Sequence, residues 1–187
     1  LAFEASAFYI DWQHQQLSVT VPALGNVVRN VGHSNSKGFE LALNATPLPS
    51  LSLQASYGYT YAKMLEARMG VGKDYSGNIL PLVPRHTLSF NANYVVNNLG
   101  HFADKLMFNA NLTGVGPLYW REDNAVKQSF YTLLNLKAAL TRGIFTLEVW
   151  SRNTLATHYL TYYFVAPKPM AQKGKPFTIG TTLMVKW

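Results

Sequence analysis

The sequence is short of charge. Charged residues make up 13% of its 187 positions, against about 25% in a typical soluble domain, while hydrophobic residues reach 48%. That balance excludes a disordered tail, in which charge rises and apolar content falls. It also argues against an ordinary soluble enzyme. Cysteine is absent, which excludes a disulfide framework and any thiolate metal site. Long hydrophobic runs are missing too. A membrane helix needs about 20 consecutive apolar residues. The longest charge-free run, Leu41–Ala62, holds Asn44, Pro47, Pro49 and Gln54, and no helix could carry that pattern through lipid. The sequence opens at Leu1 inside a strand-like pattern, with no Met, basic stretch or apolar leader. The expectation is a removed signal peptide or a fragment. The length suits one domain or a piece of a larger one.

What is present is alternation. Phe177, Ile179, Thr181, Leu183, Val185 and Trp187 make one mostly apolar face, and Thr178, Gly180, Thr182, Met184 and Lys186 one mostly polar face. Leu88, Phe90, Ala92, Tyr94 and Val96 alternate with Ser89, Asn91 and Asn93, and Leu106, Phe108, Ala110 and Leu112 with Asn109, Asn111 and Thr113. Leu51–Thr60, Phe39–Asn44, Phe130–Thr141 and Ile144–Asn153 behave the same way, and Leu1–Trp12 less cleanly. A period of two is the signature of a half-buried strand. The sequence predicts about eight strands of roughly ten residues, the length of a transmembrane strand. Short links at 46–50, 97–104 and 141–144 are interleaved with long ones at 14–36, 64–84, 116–129 and 155–174. Segregation of short turns from long loops describes an outer-membrane barrel, and a soluble sandwich has no reason for it.

The apolar faces carry no charge; Glu40, Lys137, Glu148, Arg152 and Lys186 fall on the other face. That face is otherwise Ser, Thr, Asn, Gln and Gly, unlike a soluble surface and suited to a wet lumen. A two-residue Arg142-Gly143 hairpin loop would set Lys137 opposite Glu148.

Three blocks carry a family resemblance. Lys37-Gly-Phe-Glu-Leu-Ala-Leu-Asn-Ala-Thr-Pro-Leu-Pro-Ser-Leu-Ser-Leu-Gln-Ala-Ser-Tyr-Gly-Tyr-Thr60 resembles a strand–turn–strand block in the barrel of TonB-dependent outer-membrane receptors. Gly77–Leu88 resembles the loop-to-strand passage that follows, and Leu147–Tyr159 the penultimate-strand segment, with departures at Thr154 and Ala156–His158. The terminal Trp187 is similar to the ending read by the barrel-assembly machinery. The resemblance implies an all-β, antiparallel up-and-down transmembrane barrel. Residues 1–187 would be a C-terminal segment of the roughly 22-stranded plugged barrel of that family. The plug and the segment that binds TonB have no counterpart here. It further implies location in the cell outer membrane and TonB-dependent import of a scarce nutrient such as siderophore-bound iron. The partners would be outer-membrane lipid and lipopolysaccharide, the TonB complex through the plug, and the assembly machinery.

Tyr57, Tyr59, Tyr61, Tyr119, Trp120, Tyr131, Tyr162, Tyr163 and Phe164 fall near strand ends on the long-loop side. We read them as a membrane girdle, because an amphipathic ring suits the headgroup level; loop aromatics that stack on a ligand are the alternative. Phe177 and Trp187 read as girdle or assembly signal. Lys168, Lys173 and Lys175 crowd the last long loop, and Lys63, Arg68, Lys73 and Arg85 flank 64–84. Their scatter over loops argues against nucleic acid. Lipopolysaccharide phosphate, an anionic ligand and plain solvation all remain open for them. The five His show no metal-ligand spacing, and no catalytic constellation or cofactor motif is expected. Two other readings stand beside the receptor: a small eight-stranded barrel with a structural or adhesion role, and a soluble β-sandwich binding module.

Overall fold

A computed structural model describes residues 1–21, 25–165 and 168–187. They form β1 (Ala2–Val21), β2 (Gly25–Leu48), β3 (Leu51–Ala67), β4 (His86–Asn97), β5 (Lys105–Gly116) and β6 (Leu118–Tyr119). The rest are β7 (Lys127–Gln128), β8 (Tyr131–Arg142), β9 (Phe145–Arg152), β10 (Leu160–Val165), β11 (Pro169–Lys173) and β12 (Thr178–Val185). Among the described residues there is no helix. Eight strands make one antiparallel sheet in the order β1-β2-β3-β4-β5-β8-β9-β12, and β6-β7 and β10-β11 are two small hairpins. Among the described residues the sheet is open, with β1 paired only to β2 and β12 only to β9.

The alternation sorts the sheet into two faces. Leu43, Ala55, Phe90, Leu112 and Leu134 stand in one row straight across β2, β3, β4, β5 and β8. Among the described residues nothing covers this face: Phe108 is 46% exposed, Leu147 48% and Leu183 65%. A sandwich would bury such a face under a second sheet, and a contiguous apolar surface of this size is rare in water. Hydrocarbon can cover it, which is how a barrel uses its outer face.

Two expectations need correction. Three of the eight strands are far longer than ten residues, because β1, β2 and β3 run on past the sheet's long-loop edge. Most of the presumed 14–36 loop is therefore a two-stranded ribbon. It is kinked where the β1–β2 register shifts between Trp12 and Gln16 and His14 takes a φ of 55°. The β8–β9 register is also different. The two loop residues are Gly143 and Ile144, so Arg142 faces Phe145, and Lys137 faces Trp150 rather than Glu148. Gly143 has a φ of 56° at the first central position, while Ile144 is not left-handed. That is the type II′ pattern, which needs glycine there. The expected Arg142-Gly143 loop would have put glycine second. Both placements satisfy Gly143, so glycine alone could not choose. The shift moves each partner by two, so every side chain keeps its face.

The short turns at Pro49–Ser50, 98–104 and Gly143–Ile144 share one end of the sheet. At the other end the connections fold back and pack. The buried Met64, Ala67, Met69 and Trp120 gather there, so most of the small core among the described residues lies under the long loops.

Candidate functional site

The inner face of the sheet is a wall of amides. Asn44, Gln54, Asn91, Asn111 and Asn135 stand in one row across β2, β3, β4, β5 and β8. Neighbouring amides are joined: Asn109 Nδ2 donates to Asn91 Oδ1 at 3.0 Å, and Asn135 Oδ1 accepts from the Asn153 backbone N–H at 3.0 Å. Charge on this wall is sparse. Lys137 and Glu148 pair at 3.2 Å, and Glu4, Ser6, Glu40, Ser56 and Thr87 line a shallow polar recess near the β1 edge. An amide offers both donors and acceptors without net charge. Such a wall can hydrogen-bond a polar solute or another protein segment while holding no ion tightly.

Asparagines also fasten the loops that cap the wall. Asn124 sits at a φ of 54° in the loop between β6 and β7, a conformation asparagine tolerates better than most residues. Its Oδ1 accepts from the Ile79 N–H at 2.8 Å, and its Nδ2 donates to Ile79 O at 2.9 Å and Arg121 O at 3.2 Å. Asn78 Nδ2 donates to Glu122 O at 2.8 Å, and the Leu82 N–H to Tyr119 O at 2.8 Å. The loop after β3 and the β6–β7 loop are thus one layer. Asn153 does the same under the last loop, donating through Nδ2 to Thr157 O and Lys175 O and accepting from the Thr157 N–H. Between this loop and β7 lies a cleft of about 610 Å³, lined by Gln128, His158, Tyr159, Lys173 and Phe177 among others. Tyr159 stacks on Tyr131 at 4.6 Å.

The residues expected as a girdle separate into groups. Tyr57 and Tyr59 join Phe39 and His86 in a cluster on the outer face, with ring centroids 5.3–6.0 Å apart. The Tyr57 hydroxyl and His86 Nδ1 are hydrogen-bonded at 2.7 Å. Tyr61 lies one row beyond them. Tyr119 is in β6, and Trp120 is buried beneath the loop layer, 9% exposed, so its ring is packed against protein. Tyr162, Tyr163 and Phe164 lie in the β10–β11 hairpin. Phe177 borders the cleft, and Trp187 is fully exposed.

The basic residues separate as well. Arg68 is 3.6 Å from Asp74, and Lys73 lies in the same turn. Lys168 and Lys173 belong to the last hairpin and Lys175 follows it. Arg85 lies instead over the Tyr61 ring, which Lys37 approaches from the neighbouring strand, and Lys63 is two residues along β3 from Tyr61; Lys37 is on the apolar side by parity. The sequence reading passed over Lys37, although its spacing from Phe39 and Leu41 places it on that face. It also passed over Asn124 and Asn153, which no local pattern distinguishes from other loop asparagines.

Comparison with known proteins agrees with this architecture. Residues 1–154 match the family model described as TonB dependent receptor-like, beta-barrel. A relative named as an uncharacterized TonB-dependent receptor from Haemophilus influenzae is 36% identical over 80 residues, which is 41% of this chain and 21% of that protein. The ferric yersiniabactin uptake receptor FyuA from Yersinia pestis superposes with a TM-score of 0.82 at 22% identity, over 98% of this chain and 27% of that one. The siderophore receptor PiuA from Acinetobacter baumannii gives 0.76 at 19% identity, over 97% of this chain and 26% of that one. The chain spans about a quarter of the length of these relatives. The structural likenesses carry the fold, and the family match carries the membership. The chain belongs to the TonB-dependent receptor family, as a segment of its outer-membrane β-barrel.

Proposed function

We propose that this segment is the C-terminal part of an importer that carries a scarce nutrient, such as siderophore-bound iron, across the outer membrane. The observation that carries the reading is the two-faced open sheet. One face is uncovered and apolar, and the other is a nearly uncharged amide wall. A wall of that kind suits the lining of a large wet lumen. The two free edges, β1 and β12, suit continuation into a larger barrel of the roughly 22 strands that plugged transporters have.

In this reading the plug lies elsewhere in the protein and couples to the TonB complex. The pinned loops form part of the external mouth, and Tyr57 and Tyr59 lie at the membrane interface. Transport is the class of activity; the segment has the build of a wall rather than of a reaction centre.

Uptake tests the proposal. Cells that lack the receptor are supplied with a panel of iron-loaded siderophores, with and without a functional TonB complex. The expected result is loss of uptake of one ligand class on deletion, and the same loss without TonB. Unchanged uptake across the panel, or uptake that persists without TonB, overturns it.

A further inference from the structure

We propose that His33 and Asp11 form a pH-sensitive latch at the root of the β1–β2 ribbon, closed when the imidazole is protonated. The inference rests on the geometry of the ribbon and does not depend on what is imported.

β2 lies between β1 and β3 as far as the pairing of Gly32 with Ala67, where β3 ends. Beyond that point β1 and β2 go on as a two-stranded ribbon, and two strands alone have little stability of their own. How firmly the barrel holds the ribbon is therefore decided at its root. His33 stands there between two irregularities. On one side the β1–β2 register passes from Trp12–Ser34 to Gln15–Gly32, so Gln13 and His14 stand opposite His33 alone. On the other side the β2–β3 register passes from Ser34–Met64 to His33–Glu66, and Leu65 is the extra residue. A bulge interrupts the ladder and bends the strand that carries it. Bulges on both neighbours of one residue leave a bend that backbone pairing holds loosely.

A side-chain bond crosses this bend. His33 Nε2 lies 2.7 Å from Asp11 Oδ1, and Gln13 Nε2 donates to Asp11 Oδ2 at 3.0 Å. Asp11 faces Asn35 rather than His33. The bond is therefore diagonal, and it ties β1 on the barrel side of the bulge to β2 at the bulge. Asp11, Asn35 and Lys63 make one row, two rows beyond Tyr59 toward the long loops and outside the hydrocarbon. The other titratable groups at the root are His14 of β1 and Glu66 of β3, which share a polar recess with His33. A neutral imidazole donates to Asp11 in only one of its two tautomers. An imidazolium always donates, adds its charge to the bond and faces a second carboxylate in Glu66. Histidine takes up that proton between about pH 8 and pH 5. The His33 bond first, then the Gln13 bond, hold the Asp11 carboxyl below its ordinary value near 3.8, so Asp11 is an anion throughout that range. Acid therefore closes the latch. Protonated His14 and Lys63 work against it, but among the described residues neither pairs with Asp11.

The test is backbone hydrogen exchange of the full receptor in lipid vesicles at about pH 5.5 and about pH 8, with rates corrected for their intrinsic pH dependence. The variants are His33→Gln, Asp11→Asn and, as a control, His14→Asn, which tolerates the positive φ at that position. Retention of the barrel is read from heat-modifiable mobility. In the wild type, protection around Trp12–His14 and Gly32–Ser34 is expected to be about two- to fivefold greater at the lower pH, the range of one exposed ion pair. His33→Gln and Asp11→Asn should each remove that difference, and His14→Asn should keep it. Spin labels on Val28→Cys and Ser52→Cys read the ribbon itself. Their distance distribution should be narrower at the lower pH, and His33→Gln should remove that dependence. The same pH response in His33→Gln, or its loss in His14→Asn, overturns the latch. A root that responds while the label distances do not overturns its hold on the ribbon. Neither readout is uptake, so failure here is distinct from failure of the import reading.

Discussion

Lys137 and Glu148 meet at 3.2 Å although they do not face each other across their strands. Lys137 faces Trp150, and Glu148 faces Ala139. The pair is diagonal, one of the offset contacts that long side chains reach across an antiparallel ladder. The bond survives the difference in register because the turn moved each partner by two residues, so both groups stay on the inner wall. The pair cancels its own charge on a wall made mostly of uncharged amides and hydroxyls.

The first prediction is that this pair is a modest stabiliser. A double-mutant cycle with Lys137→Met and Glu148→Gln should give a coupling of about 0.5–1 kcal/mol. Lys137 is 37% exposed and Glu148 17%, so water screens the pair on one side only. Urea unfolding of the full receptor in vesicles measures the coupling. A value indistinguishable from zero sinks the idea that the diagonal contact persists in the wet lumen.

Much of this architecture is legible in the sequence because a strand's period is local. Phe90 next to Asn91 and Leu112 next to Asn111 announce their faces within two residues. What pairs with what is not local. The amide row through Asn44, Gln54, Asn91, Asn111 and Asn135 exists only once four registers are set, and a register depends on its turn: at Gly143, between β8 and β9, one glycine fits two placements. The bonds of Asn124 reach Ile79, 45 residues away; nothing near position 124 encodes that distance. Lys37 was legible by parity. That Arg85 shares the Tyr61 ring with it was not legible, because a long hairpin and a loop separate the two in the sequence.

Asn124 should act as the clasp between two loops. Asn124→Ala removes three hydrogen bonds, each of net worth about 0.5–1.5 kcal/mol. It also leaves the positive φ to a residue that resists it. The expected result is faster tryptic cleavage at Arg68, Lys73 and Arg121, with the barrel strands as resistant as before. Unchanged loop cleavage would contradict the clasp. A collapse of the whole barrel's resistance would show that Asn124 does more than join loops.

The turn at Asp74 should loosen in acid. The Ser76 hydroxyl donates to Asp74 Oδ1 at 2.5 Å and the Ser76 N–H at 3.0 Å, while Arg68 lies 3.6 Å from the other oxygen. The Ser76 hydroxyl bond first, then its backbone bond, holds this carboxyl below its ordinary value near 3.8. A depressed carboxylate stabilises the turn above its unfolded pKa, and the benefit fades as pH falls through the folded one. Ser76 Oγ in turn accepts from the Ala67 N–H. Hydrogen-exchange protection around Ala67 and Ser76 should therefore drop below about pH 3.8, and Asp74→Asn should flatten that dependence. The same acid response in the Asn variant would remove Asp74 as its cause.

The last strand depends on a glycine under a ring. Gly180 of β12 faces Trp150 of β9, and a Cβ at position 180 would come within 2.4 Å of Trp150 Cζ2. The ring is held in place from two sides: Trp150 Nε1 donates to Thr182 Oγ1 at 3.3 Å, and the Arg152 guanidinium lies 5.0 Å from its centre. A ring laid across a cross-strand glycine covers exposed backbone, a device that pins register in sheets. Gly180→Val should displace the ring and destabilise the barrel by about 1–3 kcal/mol, the range for overpacking. Trp150→Ala on its own should also destabilise, by loss of that cover. If the clash is the mechanism, Gly180→Val should cost less in the Trp150→Ala background than in the wild type. Strand propensity pulls the same way, since valine is favoured in strands once the space is free. Heat-modifiable mobility and the urea midpoint of the four proteins decide it. Purely additive effects would mean that the glycine is needed for some reason other than the ring above it.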